Sequence, residues 1–383
     1  MVAGGVAVSS KAQVMRGVHP RVGRGPDVAI IVPTLNEAGN VSLLVERLKR
    51  ILAGEAWEVV FVDDGSTDGT LEELQDLARS DARIRYLHRI GRRGLSSAVV
   101  EGILATSAPL LAVIDGDLQH DETRLPVMLD MLRGGDNDVV VGSRYVDAGG
   151  VGSWSGGRAR MSRAATRIAS SLFPIRVADP MSGFFAITRN AFLGSVDRLS
   201  GQGYKILLDI LLSSRSELRV HEVPYTFAGR RHGESKLDQG VVIDTILMLL
   251  DKRLGHVIPA RFFLFAAVGG SGVLVHLGVL ALVLSLMPSF AWAQATAALA
   301  AMTSNFFLNN VLTYRDRRLS GVGPILLGLI SFYAVCSLGA ASNVGVASVM
   351  FDRDYSWWMS AVGGIAVGLV WNYVMTATFT WRR

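Results

Sequence analysis

The sequence holds a single cysteine, Cys336. No internal disulfide can form, so nothing ties the chain to an oxidising compartment. It has no Walker A loop, and none of its glycine runs makes the strand–GxGxxG–helix fingerprint, so kinase and dehydrogenase readings lack support. Its main shortage is charge. Only 19% of the 383 residues are charged, against about 25% in a typical soluble domain. The shortage is local. Residues 262–383 carry nine charged side chains, and the other 62 lie in residues 1–261. The first region is as charged as an ordinary soluble domain; the second is as poor as a membrane domain. A wholly soluble protein, a disordered chain and a disulfide-built scaffold are therefore excluded.

The uncharged run 262–314 is 53 residues long. At ~1.5 Å per residue it makes about 80 Å of helix, against a ~30 Å hydrocarbon core. It fits two helices, roughly 262–287 and 290–314, broken near Pro288. Residues 319–351 and 355–381 each fit one more pass, which predicts four transmembrane helices. Arg253 and Arg261 precede the first; Arg315, Arg317 and Arg318 follow the second; Arg382 and Arg383 follow the fourth. The opposite loops hold only Asp352, Arg353 and Asp354. The positive-inside rule then places the amino-terminal domain and both termini in the cytoplasm.

These helices contain a repeat. Asn305 to Asn309 with Thr313-Tyr314-Arg315 recurs, 67 residues on, as Asn372 to Thr376 with Thr380-Trp381-Arg382. Two hairpins in one orientation form a parallel repeat of the kind some transporters use. His276, Asn305, Asn309, Asn343 and Asn372 are candidates for a polar pathway, or for helix-packing hydrogen bonds. The tail resembles the GtrA-like family, four-helix proteins associated with handling lipid-linked sugars. A flippase for such a product is one implied role and a plain anchor the other.

Residues 1–26 carry four basic residues, no acid and no long apolar stretch. They read as a disordered basic arm able to meet anionic headgroups. The net charge is +5, and its excess lies in this arm and beside the helices, while residues 27–261 are slightly acidic. The basic balance therefore points to no nucleic acid. Residues 239–261 place Val241, Val242, Ile246, Leu249 and Leu250 at helical spacing among charges, suiting an interfacial helix. The expected domains are 1–26, 27–238, 239–261 and 262–383.

From Val28 short apolar runs alternate with amphipathic ones. Strands are predicted at 28–32, 58–62, 84–87, 110–114 and 138–141, with helices over 40–53, 68–80, 95–106 and 122–133. This is the pattern of a doubly wound, mostly parallel α/β sheet, whose ligands bind beyond the carboxyl ends of the strands. Three polar motifs fall there: PTLNE from Pro33, DDGSTDG from Asp63, and DGDLQH from Asp115. Two carboxylates one residue apart at a strand end suit Mg²⁺ or Mn²⁺ held against a diphosphate.

These motifs resemble glycosyltransferase family 2, of the Rossmann-like GT-A fold. With GLSSAVVEG from Gly94, GSRY ending at Tyr145, DPMSGFF from Asp179, GYKILLDIL from Gly203 and FAGRRHGESKL from Phe227, they are similar to the dolichol-phosphate mannose synthases. The resemblance implies an inverting, metal-dependent enzyme of the membrane surface. Its donor would be GDP-mannose, with another nucleotide sugar such as UDP-glucose as the alternative, and its acceptor a polyprenyl monophosphate. Carried over by position, Pro33, Leu35, Glu37, Asp64 and Asp115 correspond to nucleotide contacts; Leu35 stands where the family usually has an aromatic. Asp115, Asp117 and Gln119 correspond to metal ligands, and Arg144, Arg158 and Ser162 to acceptor-phosphate contacts. Arg230 corresponds to the arginine near the donor diphosphate, with Lys236 in the same basic loop on the lipid-phosphate side. Asp117, Arg144 and Arg230 are the implied catalytic set. A phosphate monoester is largely dianionic at pH 7 and needs little general-base help, so Asp209 is assigned to helix polarity or salt bridging. The task is to bring two anions together, which calls for guanidinium groups and a cation. A processive polysaccharide synthase normally shows a Gln-x-x-Arg-Trp segment, and this chain has none.

Overall fold

A computed structural model describes residues 25–152, 166–167, 171, 173, 176–200, 205–229, 245, 248–253, 259–286 and 289–382. The chain forms two compact units, Met1–Thr245 and Ile246–Arg383.

The first unit opens with the expected alternation: β1 (Val28–Thr34), α1 (Asn40–Ile51), β2 (Trp57–Asp63), α2 (Thr70–Ser80), β3 (Ile84–His88), α3 (Leu95–Leu104) and β4 (Leu110–Val113). The helix predicted over 122–133 is divided: a 3₁₀ turn at Glu122–Arg124 leads into α4 (Leu125–Arg133), with Pro126 in its first turn. There a missing N–H costs nothing. β5 (Val139–Ser143), β6 (Phe185–Thr188), α5 (Arg189–Leu193), α6 (Ile206–Ser213) and β7 (Val220–Pro224) complete the unit.

The seven strands lie in the order β3-β2-β1-β4-β6-β5-β7. β1 pairs in parallel with both β2 and β4. β6 is inserted antiparallel between β4 and β5, and β7 pairs in parallel with β5. Period-two alternation sorts the side chains to two buried faces. Val28, Ile30 and Val32 meet Leu44 and Leu48 of α1 and Met128 and Leu129 of α4. Ala29 and Ile31 face the other way, toward Val99 and Ile103 of α3 and Leu207 and Ile210 of α6. With helices on both faces the sheet is doubly wound, and its strand order turns at β1 and β4.

The second unit is helical. Its elements are α7 (Ala260–Leu286), α8 (Phe290–Leu308), α9 (Val322–Asp352) and α10 (Trp357–Met375). π-Helical turns at Asn309–Thr313 and Thr376–Thr380 extend α8 and α10. Among the described residues, Arg261–Leu286, Val322–Asp352 and Trp357–Thr380 are long and apolar enough to cross a membrane. α8 is uncharged, but Gln294, Thr296, Thr303, Ser304 and Asn305 reduce its apolar character. Large apolar side chains are displayed throughout, as with Leu274 at 73% and Trp357 at 75% exposure. This is the surface of a membrane protein, whose solvent is lipid.

The 67-residue repeat is structural. Both π turns fall on it, and each is closed by the following residue: Tyr314 N–H donates to the Asn309 carbonyl at 2.8 Å, and Trp381 N–H to that of Thr376 at 2.9 Å. The Tyr314 and Trp381 rings stack with centroids 4.3 Å apart. Gly272 of α7 abuts the Asn305 carboxamide, and Gly339 of α9, 67 residues on, abuts that of Asn372. A Cβ at either glycine would sit 2.4 Å or less from the amide, so only glycine permits this approach. The interfacial helix expected over 239–261 lies largely outside the described residues; 245 and 248–253 are helical.

Candidate active site

Three loops converge at the carboxyl ends of β1, β2 and β4, which are neighbours in the sheet. The first two are laced together. Asn36 sits in the left-handed region at φ +53. Its amide donates to Ser66 Oγ at 2.8 Å, and its Oδ1 accepts from the Thr67 amide at 2.9 Å. The Glu37 amide donates to Thr70 Oγ1, and Glu37 Oε2 accepts from Asn40 Nδ2, each at 2.8 Å. Glu73 of α2 accepts from the amides of Gly39 and Ser42, which caps α1 from a neighbouring helix. Burial would raise the Asp68 carboxyl, but hydrogen bonds from Thr70 and the Ala38 amide outweigh it and hold the group below its ordinary value. Pro33 and Leu35 are half-buried along this loop.

The paired acids after β2 have separate tasks. Asp63 is sealed and accepts from the amides of Gly65 and Ser66, from Ser66 Oγ and from His88 Nδ1. Asp64 accepts from Arg89 Nη1 at 2.6 Å and from the Gly94 amide at 2.7 Å. Arg89 is itself buried and also reaches Ser97 Oγ at 2.6 Å. Asp64 and Arg89 thus fix the start of α3 against the sheet.

Beyond β4, Asp115 and Asp117 stand on either side of Gly116. Leu118 is left-handed at φ +60, a strained setting for a non-glycine residue that is found mostly at functional loops. The Gln119 amide donates to Asp117 Oδ1 at 3.2 Å and holds the turn. Gln119 also joins the loop to the segment after β7, donating from Nε2 to the Ala228 carbonyl at 3.0 Å and accepting at its own carbonyl from the Ala228 amide at 2.8 Å. Asp117 is buried, while the Asp115 side chain keeps 31% exposure. A Cβ on Gly183 would lie 3.0 Å from Asp115 Oδ2, so the glycine leaves room beside the carboxylate.

His120 closes the loop from behind. Its ring is stacked on Phe184 at 5.4 Å and meets Tyr225 and Phe227 edge-on. Nδ1 accepts from the Asp115 amide at 3.2 Å, which puts the proton on Nε2, 3.7 Å from Asp115 Oδ2. Burial, reinforced by Arg144 and opposed by Asp117, pulls its pKa down to about 4. The contact with Asp115 is therefore that of a neutral imidazole.

Arg144 follows β5. Its Nε and Nη2 each donate at 2.7 Å to the carboxylate of Asp179, and its backbone amide donates to the same group at 3.1 Å. Asp179 is fully buried and held in turn by Glu222, which accepts from the Ala178 and Asp179 amides. Burial opposes the charge on Arg144, but the hydrogen bond and charge of Asp179 outweigh it and raise the guanidinium pKa further. The guanidinium lies over the Tyr145 and Phe227 rings at 5.6 and 5.8 Å.

The structure thus brings Pro33, Leu35, Glu37, Asp64, Asp115, Asp117 and Gln119 to one end of the sheet, with Arg144 beside them, two strands from β4. Arg158, Ser162, Arg230 and Lys236 lie outside the described residues. Asp209 is buried and accepts from the Ser200 amide, Ser200 Oγ and Ser213 Oγ. These hydrogen bonds tie the Asp209 carboxylate to the loop before α6 and to the last turn of that helix. Arg89, His120, Asp179 and Glu222 were not singled out from sequence. Arg89 meets Asp64 at a separation of 25 residues, Asp179 meets Arg144 at 35 and Glu222 meets Asp179 at 43, and only the family segments containing Asp179 and His120 offered a signal.

Among the described residues no group of three or more His, Cys, Asp or Glu gathers in a metal-binding cluster. A cation such as Mg²⁺ takes one or two protein carboxylates and completes its shell with water and substrate phosphate. The half-open Asp115 beside buried Asp117, with the space left at Gly183, fits such an ion.

Comparison with known proteins is consistent with both units. Residues 29–194 match the family model Glycosyl transferase family 2, and residues 264–381 match the GtrA/DPMS transmembrane domain. The chain is 34% identical over 358 residues to a dolichol-phosphate mannosyltransferase of Pyrococcus furiosus, covering 92% of this chain and 99% of the relative. It is 35% identical to the Mycosarcoma maydis enzyme of the same description, covering 67% and 86%. To that of Saccharomyces cerevisiae it is 34% identical, covering 58% and 85%. Among solved structures, a glucosyl-3-phosphoglycerate synthase from Mycobacterium tuberculosis aligns with a TM-score of 0.46 at 22% identity, covering 60% of this chain and 80% of that one.

Proposed function

We propose, from the premise that the chain belongs to the dolichol-phosphate mannosyltransferase family, that it transfers mannose from GDP-mannose to a polyprenyl monophosphate, with inversion, at the cytoplasmic membrane face. The observation that carries the reading is the position of Asp115 and Asp117. They lie at the carboxyl end of β4, beside the loop of β1, where the strand order turns. In open α/β sheets this is the ligand crevice.

In this reading the nucleotide lies against Pro33, Leu35, Glu37 and Asp64, and its diphosphate reaches Asp115, Asp117 and Gln119. A bound Mg²⁺ or Mn²⁺ supplies positive charge to the departing diphosphate. The chain's own residues do the remainder. Asp179 keeps Arg144 charged and sets the plane of its guanidinium, so the arginine can meet the acceptor phosphate without reorganising. The acceptor is already a dianion and attacks the anomeric carbon from the face opposite the leaving group. Arg158, Ser162, Arg230 and Lys236 are assigned to the two phosphates from the family resemblance.

The domain boundaries 27–238, 239–261 and 262–383 belong to the same proposal, as does the second membrane pass, Phe290–Thr313. The topology is supported by the arginines. Arg261, Arg315, Arg317, Arg318 and Arg382 lie at one end of the helical unit, where Phe262 contacts Tyr373 and Arg317 reaches the Trp381 carbonyl at 3.4 Å. Basic ends of this kind face the cytoplasm.

The test uses the full chain in lipid nanodiscs holding polyprenyl phosphate, supplied with labelled GDP-mannose. Chelation should stop label transfer and added Mg²⁺ or Mn²⁺ should restore it. Transfer that survives both chelation and Asp117→Ala would refute the site. A second reading, translocation of the product by the helices, is favoured by one observation: the carboxamide oxygens of Asn305 and Asn372, equivalent in the repeat, are buried without a hydrogen-bond partner among the described residues. Their tight seating against Gly272 and Gly339 favours packing instead. Asymmetric liposomes with a sidedness assay separate the two: transfer without movement above blank liposomes leaves an anchor.

A further inference from the structure

At the arginine-bearing end of the helical unit, the connection from α8 to α9 folds back beside an open groove of about 520 Å³. This is within the ~300–1,000 Å³ range of ligand sites. One wall is apolar, made by Phe307, Val311 and Ile325, and the other side carries Arg318 and Ser320. Among the described residues none that lines the groove is acidic, and α9 begins without an acid in its first turn.

The fold-back is held by a specific clamp. Asn310 is 3% exposed. Its Oδ1 accepts from the Leu319 amide at 2.8 Å and from Trp381 Nε1 at 3.0 Å, and its Nδ2 donates to the Leu319 carbonyl at 3.1 Å. Ala377 stands at the equivalent position of the repeat, 67 residues on, so this clamp belongs to the first hairpin alone. Gly321 completes the turn at φ +85, a left-handed setting that favours glycine.

The occupant must match both walls. Phe307 and Val311, one helical turn apart, are 44% and 46% exposed and continue the lipid-facing surface of α8 into the groove. Exposed Arg318 stands at the rim, and the connection that carries it, Arg315-Asp316-Arg317-Arg318, keeps a net positive charge. A free anion has no use for the apolar wall, and a neutral lipid none for the cation. We infer that the groove binds an anionic phospholipid, its phosphate at Arg318 and Ser320 and an acyl chain along Phe307 and Val311. The bound lipid holds this end of the bundle at headgroup depth, independently of sugar transfer.

The experiment is native mass spectrometry of the full, delipidated chain titrated with phosphatidylglycerol or with phosphatidylcholine of the same acyl chains. Phosphatidylglycerol should bind about tenfold more tightly, through charge-assisted hydrogen bonds. Arg318→Gln should lower its affinity about fivefold, the worth of one arginine near a headgroup, and leave phosphatidylcholine unchanged. Phe307→Ser, with Arg318 intact, should weaken it too. Circular dichroism confirms that each variant remains helical. Equal binding of the two lipids, undiminished phosphatidylglycerol binding by either variant, or displacement of the lipid by inorganic phosphate overturns the inference.

Discussion

The two units bury polar groups in opposite ways. In the first, buried arginines are paired with buried acids: Arg144 with Asp179, and Arg89 with Asp64. In the helical unit the buried polar groups among the described residues are neutral, such as Asn310 with Trp381 and Asn309 with Thr313, and half-buried Thr303 pairs with Tyr333 in the same way. Their surfaces also differ. Of the large apolar side chains left exposed among the described residues, four belong to the first unit and 29 to the second. The first unit excludes water around charges that, in the proposed reading, handle phosphates. The second is solvated by lipid, where a charge would have no partner and a hydrogen-bonded amide or hydroxyl costs little.

This contrast can be broken at chosen points. The largest effect should follow Asp179→Ala. It strands the buried Arg144 charge and should cost the first unit about 3–5 kcal/mol, read as a lowered unfolding transition with the helices intact. Equal stability would mean that Arg144 is not committed to Asp179. Next comes Asp117→Ala, expected to reduce sugar transfer by about 10²–10³-fold, the usual cost of one electrostatic group at a reacting centre, while thermal unfolding stays near that of the unchanged chain. In the helical unit Gly339→Val should cost about 1–3 kcal/mol by overpacking against Asn372, seen as a loss of detergent-resistant helicity. Gly272→Val should do the same if the repeat is real, and a difference between the two would sharpen the comparison between hairpins. The smallest effect belongs to Tyr333→Phe, which removes one neutral hydrogen bond to Thr303 and should cost about 1 kcal/mol.

The elements from Val28 to Val141 were legible because both faces of a parallel sheet are apolar and the helices between them repeat every three to four residues. Asp115 and Asp117 stood out because three polar motifs fall in order at the ends of successive strands, whereas a lone pair of acids one residue apart is common by chance. Residues 142–240 were harder. β6 is four residues long and enters the sheet antiparallel between β4 and β5, and no local pattern announces that. His120 resembles a polar motif residue in sequence, yet burial among three aromatic rings makes it a neutral prop for Asp115. Asp179 is one acid among 33, and its meaning lies in an arginine 35 residues away. Of the four helices expected from missing charge, three are, among the described residues, long and apolar enough to cross a membrane, and the repeat was legible from Asn305 and Asn372. The glycines that receive those amides were not, since a small residue in an apolar run has many uses.

The central claim joins the two units: charged groups in the first act on a lipid that the second keeps at hand. Mass spectrometry of the lipid product tests it most directly, using the full chain in nanodiscs with polyprenyl phosphate and either GDP-mannose or UDP-glucose. The account predicts one hexose on the polyprenyl phosphate from GDP-mannose and none from UDP-glucose. A hexosylated lipid formed only from UDP-glucose, or a sugar product with no lipid attached, would contradict it.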